Sequence, residues 1–324
     1  MSDPAKGDRA FRAESLLGRA PEMTFAGALS FLRRRYSRAL EGVDVVVSGL
    51  PFDGAVTNRS GSRLGPRAIR AASTQLAELK AFPFGFDPFD HLAVIDWGDA
   101  WLDPHRPETV PAAIEAHART ILWAGAKMLS FGGDHFVSYP LIRASAEAFG
   151  PVALVQFDAH SDTWEDDGSS LNHGTMFLRA AEERVVAPEH SVQVGLRTFN
   201  PSARGFEILS APWIHRNGIE ATLAVIKERV GDAPAYLSFD VDCLDPAFAP
   251  GTGTPVAGGL ATWQALEILR GLGSLNLIGL DVVEVAPAYD QAEITALAAA
   301  TVAHDWLCLL AEKKGAARHP VGRL

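Results

Sequence analysis

The feature that most constrains this chain is a set of short, predominantly apolar runs rich in Val, Leu, Ile and Phe, at 43–50, 92–95, 128–131, 152–157, 192–194, 236–239 and 277–280. Runs of this length with apolar residues on both faces of an extended backbone read as strands buried on both sides. Helical signals fill the intervals at 66–79, 110–124, 139–149, 221–230 and 263–272, the last with Thr262 as its expected N-cap and Gly271 near its end. This alternation predicts a three-layer α/β/α architecture with a mostly parallel central sheet. No internal repeat and no Pro-rich or Gly/Ser-rich linker divides the chain, so residues 41–324 read as a single α/β domain. Residues 1–40 stand outside the rhythm and read as an N-terminal arm, with the Arg33-Arg34-Arg35 cluster expected on a solvated helix face. The segment 81–90, with Phe82, Phe84, Phe86 and Phe89 among Pro83 and Pro88, reads as a packed loop and candidate subunit contact.

Composition narrows the function classes. Lys and Arg total 29 against 39 Asp and Glu, a net charge of −10, which argues against a surface built for a nucleic-acid backbone and favours a small or cationic partner. The two cysteines, Cys243 and Cys308, form neither a disulfide framework nor a C-x-x-C pair, which fits a reducing cytoplasm. The first twenty residues hold no signal-peptide core. The most apolar late stretch, 294–303, stops at His304-Asp305, short of the ~20 residues of a membrane span, so no membrane association is expected.

Chemistry gathers where three predicted strands end. Phe131 runs into Gly132-Gly133-Asp134-His135, Phe157 into Asp158-Ala159-His160-Ser161-Asp162, and Phe239 into Asp240-Val241-Asp242. In parallel sheets, ligand sites lie beyond the carboxyl ends of the strands. The i, i+2, i+4 spacing of Asp158, His160 and Asp162 sends all three to one face of an extended backbone, and Asp240 with Asp242 repeats the pattern. Four crowded carboxylates require protonation or a multivalent cation. Two imidazoles and four carboxylates without a thiolate suit a harder divalent metal, with enough ligands for two ions if some carboxylates bridge. Gly251-Thr252-Gly253-Thr254-Pro255 lacks the G-K-[ST] ending of a phosphate loop, there is no G-x-S-x-G elbow, and Cys243 reads as a buried filler.

At these motifs the chain resembles the ureohydrolase (arginase/agmatinase) superfamily, and it is most similar to the bacterial agmatinase branch. The likeness extends through Asn-His-Gly-Thr-Met-Phe at 172–177, Pro-Gly-Thr-Gly-Thr-Pro at 250–255, Asp-Val-Val-Glu-Val-Ala-Pro-Ala-Tyr-Asp at 281–290, and Asn58-Arg59-Ser60-Gly61 with Gly65-Pro66-Arg67. It covers roughly residues 45–313 and implies an arginase-like fold. It further implies two Mn²⁺ ions, one held by His135, Asp158, Asp162 and Asp240, the other by His160, Asp158, Asp240 and Asp242, with Asp158 and Asp240 bridging. The ions would generate a strong nucleophile from water, which the electron-rich guanidinium carbon demands. The implied roles are Glu284 binding the guanidinium, Asp162 accepting a hydrogen bond from the nucleophile, His173 shuttling protons and Thr254 lining the pocket. Trimers or hexamers are common in the superfamily, so a homo-oligomer is expected. His91, His105, His117, His190, His215, His304 and His319 fall outside the clusters and read as structural or exposed.

The substrate expectation rests on departures from the arginase pattern. Trp164 stands where arginases place an asparagine, and Thr198-Phe199-Asn200 where aspartates grip the amino-acid end. The acidic stretch Trp164-Glu165-Asp166-Asp167 suits an ammonium tail instead. Agmatine, hydrolysed to putrescine and urea, is the expected substrate. The alternatives are 4-guanidinobutyrate or 3-guanidinopropionate, with Arg197 as partner for a carboxylate tail, and a catalytically silent metal-binding relative.

Overall fold

In the computed structural model, which describes residues 16–17, 25–77, 79–165 and 170–319, the apolar runs pair into one sheet. Its strands are β1 (Arg35–Tyr36), β2 (Val45–Leu50), β3 (Val94–Asp99), β4 (Lys127–Gly132), β5 (Ala153–Phe157), β6 (Val192–Leu196), β7 (Glu207–Ser210), β8 (Pro234–Asp240) and β9 (Asn276–Val283). They lie in the order β1-β3-β2-β4-β9-β8-β5-β6-β7, and every pairing is parallel. Each of the seven predicted runs overlaps a strand, with 43–44, 92–93 and 152 lying just before the strands they lead into. The two unpredicted strands are the edges, where β1 is two residues long and β7 is half-exposed, so neither carries a continuous apolar signal.

The helices are α1 (Gly65–Ser73), α2 (Val110–Trp123), α3 (Ser138–Phe149), α4 (Met176–Glu182), α5 (Ala211–Val230), α6 (Thr262–Arg270) and α7 (Ile294–Lys313). Side-chain alternation along the strands separates two cores. Val45, Val47, Leu129, Phe131 and Leu280 face Ile69, Ile226, Ile268 and Ala299 from α1, α5, α6 and α7. Val46, Met128, Leu154 and Val283 face Ile114, Ile142 and Phe177 from α2, α3 and α4. The result is the expected three-layer arrangement, and it needs strands apolar on both faces.

Several local expectations are corrected. Arg33 and Arg34 do not lie on a solvated helix face: they are 1% and 4% exposed, Arg33 donating to the carbonyls of Ala26 and Ala28, and Arg34 stacking 3.7 Å over the Phe89 ring. Carbonyl acceptors and an aromatic face accommodate the buried guanidinium groups. Phe31 and Leu32 lie in the core and β1 pairs with β3, so this part of the 1–40 segment is built into the sheet. Thr262 is the first helical residue of α6, with Ala261 at the cap donating its N–H to Gln264 Oε1. Helix α5 starts ten residues before the predicted 221, and bends at Gly218, whose φ of 81° interrupts the pattern. Phe84, Phe86 and Phe89 are buried, as a packed loop requires, while Phe82 is exposed.

The stretch 294–303, read only as too short for a membrane span, is the first half of helix α7, which was not among the predicted helices. The helix continues to Lys313, and the charged residue at the apparent stop is buried inside the fold, Asp305 pairing with Arg270 of α6 at 2.7 Å. Its length and composition would suffice to cross a membrane, but 83% of its most apolar 18-residue window is buried in the protein, the signature of a core helix.

Candidate two-metal active site

The chemistry-bearing strand ends are neighbours. β4, β9, β8 and β5 form the centre of the sheet, at the point where β1–β4 give way to β5–β7 on the other side. Such a switch point opens a crevice beyond the strands' carboxyl ends. His135 follows β4, Glu284 follows β9, Asp240 ends β8 with Asp242 in the next turn, and Asp158 follows β5. Gly133 lets the chain turn there: a Cβ would lie 1.6 Å from the carbonyl oxygen of Phe52, and the neighbouring Asp134 donates its N–H to that same oxygen at 2.8 Å.

The residues converge as expected, but not on an extended backbone. Strand β5 ends at Phe157, and Asp162 adopts a left-handed φ of 52° that turns its carboxylate back toward His135. Asp240 caps the 3₁₀ turn Val241–Cys243 by accepting from the Asp242 N–H at 2.8 Å. Backbone reversal, rather than side-chain alternation, gathers these groups.

His135 Nδ1 lies 2.9 Å from Asp158 Oδ2, 2.9 Å from Asp162 Oδ2 and 3.3 Å from Asp240 Oδ2, yet forms a well-directed hydrogen bond with none of them. His135 Nδ1, Asp158 and Asp240 offer ligand atoms that all lie within 4.8 Å of one another, a spacing that suits a shared cation, while Asp162 approaches the group through His135. His160 Nδ1 lies 3.0 Å from Asp242 Oδ2 and 3.4 Å from Asp158 Oδ1, which makes a second group. Asp158 belongs to both, whereas Asp240 groups with His135 only, so only one of the two expected bridges is drawn by these contacts.

Electrostatics point the same way. Burial, with the charges of Asp242 and Asp158, pushes Asp240 well above the carboxylate range; burial and Asp158 push Asp162 up to about 6 and also raise Asp242. Burial also disfavours ionised Asp158, but the close imidazoles of His135 and His160 outweigh it and hold this carboxyl below its usual range. Burial would lower the pKa of His160, yet Asp242 and Asp158 drive it up to about 12. Among the described residues only these imidazoles ion-pair with the four carboxylates. A buried acidic cluster without Lys or Arg fits divalent cations held by oxygen and imidazole.

Glu284 stands beside this centre at a left-handed φ of 64°. Its Oε1 accepts from the backbone N–H of His135 at 2.9 Å and contacts His173 Nδ1 at 2.9 Å, while Oε2 is buried without a hydrogen-bond partner. On its other side the His173 ring meets Thr57, whose backbone N–H and hydroxyl lie 3.0 and 2.9 Å from Nε2. Burial lowers and Glu284 raises the His173 pKa, to about 9 on balance. A second ring proton would nonetheless point at the Thr57 N–H, so geometry favours neutral imidazole with its proton on Nδ1.

The substrate-tail expectations fare unevenly. Thr254 donates to Asp242 Oδ2 at 3.2 Å and thus lines the site. The Trp164 ring lies 6.3 Å from that of His160. Glu165 turns outward, its side chain 78% exposed and ion-paired with Arg204, while Asp166 and Asp167 lie outside the described residues. Arg197 is unavailable to a carboxylate tail, because its guanidinium donates to the carbonyls of Gly195, Asp242, Cys243, Leu244 and Val256. Asn200 holds Ser161 and Thr163. Cys243 is fully buried, as expected of a filler.

The arginase family profile matches residues 43–308. The chain belongs to the arginase family. Among similar arginase-family proteins, an agmatinase of Chromobacterium violaceum is 62% identical over 310 residues, covering 95% of this chain and 96% of its own. An agmatinase of Photorhabdus laumondii is 53% identical, covering 83% and 88%. Among solved structures, a hypothetical agmatinase from Burkholderia thailandensis superposes with a TM-score of 0.94 at 61% identity, covering 95% and 98%. Proclavaminate amidino hydrolase from Streptomyces clavuligerus gives 0.83 at 37%, covering 90% and 99%. This protein is therefore an arginase-family hydrolase with a binuclear metal site.

Sequence reasoning missed Thr57, Ser238 and Asp281 as contributors. Thr57 and Ser238 each directly precede a quoted motif, and Asp281 opens one. The available signal was polarity inside a buried strand, since Ser238 and Asp281 interrupt otherwise apolar β8 and β9.

Proposed function

We propose that this protein is an agmatinase, hydrolysing agmatine to putrescine and urea with two Mn²⁺ ions. His135, Asp158, Asp162 and Asp240 hold one ion, and His160, Asp158, Asp240 and Asp242 the other. When bound, such ions lower the pKa of water and polarise the group under attack. The observation that carries the reading is the unpartnered, fully buried Oε2 of Glu284, beside the metal groups and tied to His135 through Oε1. A planar guanidinium supplies the charged N–H donors this oxygen lacks.

Glu284 orients the guanidinium while His173, held between Glu284 and Thr57, relays to the departing amine the proton given up by the attacking water. Asp162 accepts a hydrogen bond from the attacking oxygen. Trp164 and Thr254 stand beside His160 and Asp242, and the Trp164 ring offers the ammonium tail an aromatic face. A net charge of −10 favours arrival of this dication over a guanidino acid. With Arg197 committed to carbonyls, a carboxylate tail has no such partner there. The setting is a cytoplasmic homo-oligomer, trimer or hexamer, built on one catalytic domain. Comparison of kcat/KM for agmatine, 4-guanidinobutyrate, 3-guanidinopropionate and arginine tests the reading: agmatine should lead by at least tenfold, and a lead for either guanidino acid would reverse the substrate assignment.

A further inference from the structure

A buried carboxylate stands behind the first metal ligand without touching the centre. In the parallel register of β8 and β9, Ser238 lies opposite Asp281. Asp281 is fully buried; its Oδ1 accepts from the Ser238 hydroxyl at 2.7 Å and its Oδ2 from the Tyr236 hydroxyl at 2.9 Å. Ser238 Oγ lies 2.8 Å from His135 Nε2 and 3.3 Å from the hydroxyl of Ser138. Each Asp281 oxygen takes a hydroxyl hydrogen, so the single Ser238 hydrogen is used at Asp281 and the Ser238 oxygen accepts from His135 Nε2–H. That leaves the ring lone pair on Nδ1, the atom set among Asp158, Asp162 and Asp240.

We propose that Asp281, acting through Ser238, is a positioning residue that fixes the tautomer and orientation of His135 and thereby sets the affinity of the first metal position. The inference rests on the two-metal reading. Apolar side chains would serve the centre of a sheet better than a buried acid whose ionisation burial opposes, so the acid is retained at a cost that its role at His135 offsets. The effect is confined to one position: His160 makes no hydrogen bond from Nε2 to a buried carboxylate among the described residues, and its side chain is 19% exposed. A partner behind a metal-bound imidazole typically governs affinity by about 10–100-fold.

The test measures Mn²⁺ affinity by chelator competition in a His160→Asn background, where the first position dominates binding, alongside thermal unfolding of the metal-free forms. Ser238→Ala should weaken Mn²⁺ binding by roughly 10–100-fold. Tyr236→Phe, which removes a donor to Asp281 but leaves the link to His135, should change it less than about threefold while lowering metal-free stability. If Ser238→Ala does not fold, Ser238→Cys, similar in shape but a poor hydrogen-bond partner, should show the loss instead. A folded Ser238 variant that binds Mn²⁺ like its parent overturns the proposal, as does equal weakening by Tyr236→Phe. Failure of the unmutated protein to take up Mn²⁺ would overturn the two-metal reading itself, and the relay with it.

Discussion

Replacing Glu284 with glutamine removes one charge and almost no volume. The consequence follows from its two oxygens. Oε1 accepts from the His135 N–H and faces His173 Nδ1, so the glutamine carbonyl must take that place. Its NH₂ group then occupies the Oε2 position, where it meets the guanidinium donor to donor. Oε2 is fully buried with no other donor, so water cannot restore the lost interaction. Removing one partner of a buried, hydrogen-bonded charge pair costs about 2–5 kcal/mol. At about 1.4 kcal/mol per decade this is roughly a 30- to 4000-fold fall in kcat/KM, and the absence of any substitute places the expectation in the upper part of that range. Glu284 is not a metal ligand, so metal content should be unchanged. Urea release across an agmatine series, with metal analysis of the same preparations, measures both. A loss below tenfold with full metal content would refute Glu284 as the guanidinium anchor.

Three further outcomes follow from the same geometry. Arg197→Lys should lower thermal stability and depress turnover of agmatine and 4-guanidinobutyrate together, because one ammonium cannot replace donors to five carbonyls; selective loss of the guanidino acid would show that Arg197 reads the tail. Glu165→Gln should leave agmatine kinetics within about twofold, since an exposed ion pair is worth at most about 1 kcal/mol, and a tenfold rise in KM would restore Glu165 to the pocket. For Asp162, raised to about 6 by burial and Asp158, the metal-free fold binds this proton more tightly than the unfolded chain. It thus gains stability as pH falls from about 6 toward 4 and loses it as pH rises back through 6. Because the same proton must leave before a metal binds, uptake should weaken below about pH 6; calorimetric melting of the stripped protein and Mn²⁺ titrations at pH 5 and 7.5 check both signs.

The layers and the six proposed metal-ligating side chains were legible in the sequence because both depend on local pattern. Apolar runs announce buried strands, and acids and histidines directly after such runs have no place in a core. What was not legible depends on reversals and on partners distant in sequence. Asp162 reaches His135 through a left-handed turn that no side-chain period encodes. The apparent stop at His304-Asp305 is dissolved by Arg270, 35 residues earlier. Helix α4 is seven residues long and carries too few turns for a periodic signal. Arg197 looked available because sequence shows a charge but not the carbonyls around it. Ser238 and Asp281 become meaningful only once β8 and β9 are paired in register.

The most direct test is product analysis of the Mn²⁺-loaded protein supplied with agmatine. The account predicts equimolar urea and putrescine, abolished by chelation and restored by adding Mn²⁺. No urea from agmatine by protein carrying two ions per chain would contradict it.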